Sequence, residues 1–215
     1  MASTTDNELE DTWTNGRLAV LRPVLEKWID ITRRYFADRH RPQRWNTERT
    51  FVGHLASAVH CQGGCALEEY SIRRTGSEGS DPGRADLWFS IEGQSFVSEA
   101  KECRVDYVHA PRTPLTRILA GVLAEAGTQA KSIQAPRDAI RVALLFAPRY
   151  YFRQSKNRGV EQAVEEYVAA LKEMQCDMRA WVLPPEGREF IMPDRDDEWL
   201  HLGSAVAGAV VEDHL

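Results

Sequence analysis

Apolar and polar residues alternate most regularly between Ala85 and Lys101. Ala85, Leu87 and Phe89 interleave with Asp86, Trp88 and Ser90, the period of two that a strand with one buried face requires. Glu92-Gly93-Gln94 supplies a turn, and Ser95 to Lys101 reads as the returning strand of a β-hairpin. On that strand Glu99 and Lys101 share one face and Ala100 takes the other. Helical spacing governs other stretches. Leu18, Leu21, Leu25, Trp28, Ile29 and Ile31 predict a helix from Arg17 to Ala37. Phe51, Val52, Leu55, Ala58 and Val59 predict another, N-capped by Asn46 or Thr47. Gly63-Gly64 reads as the turn into a strand from Ala66 to Arg73, followed by a loop from Ser77 to Gly83. Beyond the hairpin come a helix from Thr116 to Gln134 and the continuous apolar run Ile140 to Phe146, the mark of a strand buried on both faces. A helix from Val160 to Gln175 and a strand from Met178 to Leu183 precede Pro184-Pro185.

Asp86 on one hairpin strand and Glu99 on the next place two hard oxygen donors together, with Lys101 on the same face as Glu99. Mg²⁺ keeps several waters, so two or three carboxylates suffice to hold it against a substrate phosphate. Lys101 is the only lysine with an acid two positions before it. The arrangement resembles the PD-(D/E)xK nuclease superfamily, in which an acid on the second core strand is followed by Glu/Asp-x-Lys on the third. Asp86 fills the first place and Glu99-Ala100-Lys101 the others, whereas the proline that often precedes the first acid is replaced by Gly83-Arg84-Ala85. The resemblance covers residues 46 to 147. It implies an α/β, restriction-endonuclease-like fold with a mixed central sheet flanked by helices. It further implies Mg²⁺ or Mn²⁺ held by Asp86 and Glu99 with the Ala100 carbonyl, and Lys101 beside the scissile phosphate. There an ammonium would orient the attacking water and offset charge on the phosphoryl oxygens.

Two more residues join that set by resemblance. Glu48 precedes Val52 by four positions and Leu55 by seven, which places it on the buried stripe of its helix. A glutamate on the first core helix commonly reaches the metal in the resembled family; the other reading is a first-turn Glu complementing the helix dipole. Gln129 lies in the helix after the Glu-x-Lys strand, where family members often place a Gln against the catalytic Lys. The other reading is a solvated helix former.

The chain has 215 residues, 43% of them hydrophobic, enough for one domain with a real core. Residues 17 to 215 are expected to form it, with a core at 46 to 147 and a C-terminal extension at 148 to 215; the polar, acidic residues 1 to 16 read as a disordered lead. No apolar run reaches the roughly 18 residues of a membrane span. The start lacks a basic, then apolar, signal pattern. Four cysteines in such a chain read as reduced thiols in the cytoplasm. Cys61 and Cys65 with His60 make one tight group where structural zinc needs two, so the Gly63-Gly64 turn is the better reading.

A net charge of −5 argues against unspecific coating of nucleic acid but allows a local basic face. Three clusters are candidates for one: Arg149, Arg153, Lys156 and Arg158 interleaved with Tyr150, Tyr151 and Phe152; Arg41 and Arg44 before the Glu48 helix; and Arg73-Arg74 beside the Gly-rich loop. Arginine pairs with phosphate bidentately and aromatics stack on bases, although each cluster alone also reads as a solvated loop. The apolar, small-residue segment from Glu198 to Val211 either packs on the core or offers a homodimer contact. Together these features lead to the expectation of a metal-dependent nuclease, on DNA before RNA, of restriction, defence or mobile-element type. The alternative is a non-catalytic nucleic-acid-binding or regulatory protein on the same fold.

Overall fold

A computed structural model describes residues 7–9, 14–38, 47–76, 79–107, 113–152, 159–185 and 199–212. A 3-10 turn at Gly16–Leu21 runs into α1 (Arg22–Asp38), with Pro23 in the first helical turn where its missing N–H costs nothing. Leu18, Leu21, Leu25 and Trp28 are buried, as their spacing predicts. α2 (Glu48–Cys61) starts after Thr47 and buries Phe51, Val52, Leu55, Ala58 and Val59. The remaining helices are α3 (Leu115–Lys131) and α4 (Val160–Glu173). Among the described residues no helix is long and apolar enough to cross a membrane.

Among the described residues eight strands form one mixed sheet: β1 (Asn7–Leu9), β2 (Cys65–Gly76), β3 (Gly79–Ile91), β4 (Gln94–Glu102), β5 (Val105–Tyr107), β6 (Ala139–Phe152), β7 (Met178–Val182) and β8 (Trp199–Val210). Their order is β1-β7-β8-β6-β4-β3-β2, with β5 beside the far end of β6. β4 and β5 run parallel to β6, and every other pair is antiparallel. The parallel β4–β6 pair needs a crossover, and α3 provides it. Helices cover both faces. Ile140, Val142, Leu144 and Phe146 of β6 pack with α1 and α2, while Ala143, Leu145 and Ala147 pack with α3 and α4. This is the burial on both faces that the apolar run predicts. The protein is thus a mixed α/β structure in which the order α2, β2-β3-β4, α3, β6 follows the predicted one.

Four expectations change. Residues 7–9 of the predicted disordered lead pair with β7. The stretch from Ser77 to Gly83, read as a loop, mostly belongs to β3. Pairing with β2 continues to Gly76↔Gly79 and includes Pro82 opposite Arg73. Proline is tolerated because, among the described residues, β3 has no ladder on its other side there. β6 continues past Phe146 to Phe152, because β5 and β8 supply partners on its two edges. The C-terminal apolar segment is β8, inserted between β6 and β7, with Leu200 to Ala207 buried. Those residues lie inside the sheet, so the segment packs on the core, the first of its two readings. Gly203 shows why small residues stand here: with φ +147, a Cβ would lie 2.2 Å from the Val182 carbonyl oxygen.

Candidate active site at a fork in the sheet

The predicted hairpin sets the geometry. Glu92 (φ 48) and Gly93 (φ 78) both take the left-handed conformation of a two-residue type I′ turn, and Gln94, expected in the turn, instead opens β4 opposite Ile91. That turn fixes the register from Ile91↔Gln94 to Leu87↔Ser98, where β3 and β4 stop pairing. Beyond this point β3 stays with β2 and β4 stays with β6. Asp86 and Glu99, the next residue on each strand, therefore flank the fork. Asp86 also falls at a gap in the β2–β3 ladder, which runs from Glu68↔Leu87 to Tyr70↔Ala85, and Glu69 in that gap has φ 52. The strand changes face there: Leu87 packs in the core under α2, whereas Ala85 packs with Val97 and Ile133.

Past the fork the β3-side edge of β4 has no strand partner among the described residues, and carboxylates take its N–H groups. Asp86 Oδ2 accepts from Ala100 N at 2.7 Å, and Glu48 Oε2 accepts from Glu102 N at 3.2 Å. Glu48 thus reaches the site from the first turn of α2, as its position on the buried stripe predicts. Ala100 is fully buried on the opposite side of β4 from Glu99 and Lys101, again as the alternation predicts.

The charges of these groups act on one another. Burial pushes the Glu99 carboxyl up to about 6; the charge of Asp86 adds to the rise, while Arg74 and Lys101 oppose it. Glu48 is also raised, first by burial and then by Asp86, with Lys101 and the Glu102 N–H pulling the other way. Asp86 lies within electrostatic reach of both glutamates, and so does Lys101.

Among the described residues no three Asp, Glu, His or Cys side chains are gathered closely enough to hold a metal ion as they stand. The donor set nevertheless fits Mg²⁺ or Mn²⁺, which is held by one or two carboxylates plus water and substrate phosphate rather than by a complete protein cage. Asp86 and Glu99 supply two hard oxygen groups, and each has one oxygen outside the hydrogen bonds described. Each residue of a strand directs its N–H and C=O to the same edge, so the Ala100 carbonyl shares the open edge with the N–H that Asp86 accepts.

The basic residues are placed differently from expectation. Arg74 is no loop residue: it lies on β2 and forms an ion pair with Glu99 Oε1 inside the site. Arg73 is exposed and donates to the Ser80 carbonyl at 3.3 Å. Arg149, expected to grip phosphate from a loop, is buried at 1% exposure, its guanidinium 5.8 Å from the centre of the Tyr167 ring. It cannot contact nucleic acid from there. Gln129 is half-buried, and its main-chain carbonyl, not its amide, makes the described link to the site by accepting from Arg74. Arg41, Arg44, Arg153, Lys156 and Arg158 lie outside the described residues.

Sequence reasoning missed the Arg74–Glu99 pair and a second array. Exposed Glu69 bridges Arg49 at 3.1 Å and Arg84 at 3.5 Å, next to the gap at Asp86. Only the placement of Arg84 two residues before Asp86 could have drawn attention to it. Comparison of the chain with protein families, curated proteins and solved structures finds no match.

Proposed function

We propose that this protein is a metal-dependent nuclease of the restriction-endonuclease-like kind, acting in the cytoplasm on DNA before RNA. One observation carries the reading. β3 and β4 part at Leu87↔Ser98, and the two residues at the parting are the acids Asp86 and Glu99, with Lys101 and Glu48 within electrostatic reach. Like charges placed where strand pairing ends repel one another at a cost to folding, and a cation-binding task accounts for that cost.

Asp86 and Glu99, with the Ala100 carbonyl, would hold Mg²⁺ or Mn²⁺, and the ion would supply Lewis-acid stabilisation of a phosphoryl oxygen. Lys101 places an ammonium where it can orient a water and offset charge that grows in the transition state. Glu48 ties down the edge of β4 by accepting from Glu102 N, which brings its carboxylate beside the proposed metal ligands. Arg49, Arg73 and Arg84 are exposed and can approach a phosphate backbone from the β2 side.

The test is incubation of purified protein with plasmid, linear and single-stranded DNA and with RNA, in Mg²⁺, Mn²⁺ or EDTA. Cleavage that needs the metal and is abolished by Asp86→Asn supports the proposal. Binding without cleavage under every divalent ion makes the non-catalytic reading the better one.

A further inference from the structure

Arg74 is held by more groups than an ion pair needs. The β2–β3 ribbon bends against the end of α3 and is tied there by Thr75 N to the Ser132 carbonyl at 2.7 Å, Gln134 N to the Arg73 carbonyl at 2.8 Å, and Ser80 Oγ to Gln134 Oε1 at 3.0 Å. Within this bend Arg74 Nη1 donates to the Gln129 carbonyl at 3.2 Å and to Ser132 Oγ at 2.9 Å. Nη2 donates to the Arg84 carbonyl and to Glu99 Oε1. The arginine stem lies on Gly83, where a Cβ would come within 3.0 Å of Cδ and Nε. Neutral acceptors from two elements therefore fix the plane of the guanidinium, and among the described residues its charged partner is Glu99, only 3% exposed.

We infer that Arg74 is a positioning residue for the cation site. By gripping Oε1 from an anchored fork it holds Glu99 in one orientation and leaves Oε2 for a divalent ion shared with Asp86. A lone aspartate and a mobile glutamate would bind the ion less well, because outer partners that orient a ligand govern metal affinity. The inference rests on the proposed role of Asp86 and Glu99 as ligands.

The experiment titrates Mn²⁺ into the full chain without nucleic acid, following free Mn²⁺ by electron paramagnetic resonance and secondary structure by circular dichroism. Arg74→Met keeps the stem and removes the donors; it is expected to weaken Mn²⁺ binding by about ten- to hundredfold. Arg74→Lys should recover only part, since an ammonium cannot reproduce a planar fork. Ser132→Ala removes one anchor and leaves the ion pair, so a smaller loss in a folded protein is expected; this variant decides the matter if Arg74→Met does not fold. Unchanged or tighter Mn²⁺ binding in the folded variants overturns the inference, tighter binding by making Arg74 a competitor for Glu99. Wild-type protein that binds no Mn²⁺ overturns both the site and the inference, whereas wild-type binding matched by the variants removes Arg74 alone.

Discussion

The two halves of the sheet use the same kind of backbone for opposite ends. Around β6, β8 and β7 pairing is nearly continuous, and small residues of β8 let the neighbouring strand β7 approach closely. A Cβ on Gly208 would lie 2.4 Å from Met178 Cε, and one on Gly203 would strike the Val182 carbonyl oxygen. Around β3 and β4 the ladder stops early, Glu69 adopts an unfavourable backbone angle, and carboxylates replace strand partners at Ala100 and Glu102. One half maximises close contact, and the other accepts lost pairing and mutual repulsion to bring Asp86, Glu99 and Glu48 together. The clustered carboxylates support the proposed site at the fork, since local departures from good folding practice gather where a protein acts.

The largest break in the comparison should come from its well-packed side. Gly203→Val should destabilise the fold by about 4 kcal/mol or more, because the residue would need both a positive φ and space the β7 backbone occupies. Denaturant unfolding checks this. A midpoint close to wild type would mean that β8 is not tightly held.

A smaller and opposite response is expected at the fork. Asp86→Asn removes a charge that opposes ionisation of Glu99 and Glu48, while an amide oxygen can still accept from Ala100 N. Metal-free stability should stay within about 1 kcal/mol of wild type or rise. The variant should lose the stabilisation by Mn²⁺, which for wild type is about 2.7 kcal/mol at a hundredfold excess over Kd. Melting curves with and without Mn²⁺ make the comparison; an equal Mn²⁺ shift in both proteins would move the metal elsewhere.

The smallest effect sharpens the contrast through pH. The folded protein raises Glu99 from 4.5 to about 6, so folding favours its protonated form. That contribution is fully present below about 4.5 and disappears as pH rises through about 6. Relative to Glu99→Gln, the metal-free wild type should lose on the order of 1 kcal/mol across this window. Because protons and metal compete for the same carboxylate, stabilisation by Mn²⁺ should grow over the same range. A pH-independent difference between the two proteins would place Glu99 outside the buried, repulsive setting described here.

Much of the fork was legible in sequence because its signals are local. Period-two alternation and the Glu92-Gly93-Gln94 signal reveal the hairpin, but the register that sets Asp86 across from Glu99 follows from Gln94 joining β4 opposite Ile91, which the three-residue turn expected from sequence does not give. Glu48 was legible through its helical spacing. What stayed hidden depends on partners distant in sequence. β8 has too many Gly and Ala residues to look like a strand, and it is one because β6 and β7 close on it. Arg149 sits in a run of cations and aromatics that resembles a binding loop, yet pairing with β5 and β8 draws it into the sheet. Arg74 meets Glu99 only because the β2–β3 ribbon bends onto α3, a contact with no trace in the spacing of either residue.

The most direct test of the account compares cleavage of plasmid DNA by wild type and Lys101→Ala in Mg²⁺, side by side and with metal binding measured on both. Lys101 acts in this account on charge that develops during reaction, whereas ion binding rests on carboxylates. Lys101→Ala should therefore cut about a hundred- to a thousandfold more slowly while binding Mn²⁺ and folding as wild type does. Equal rates of cleavage by the two proteins would contradict the assignment of the fork as the catalytic site.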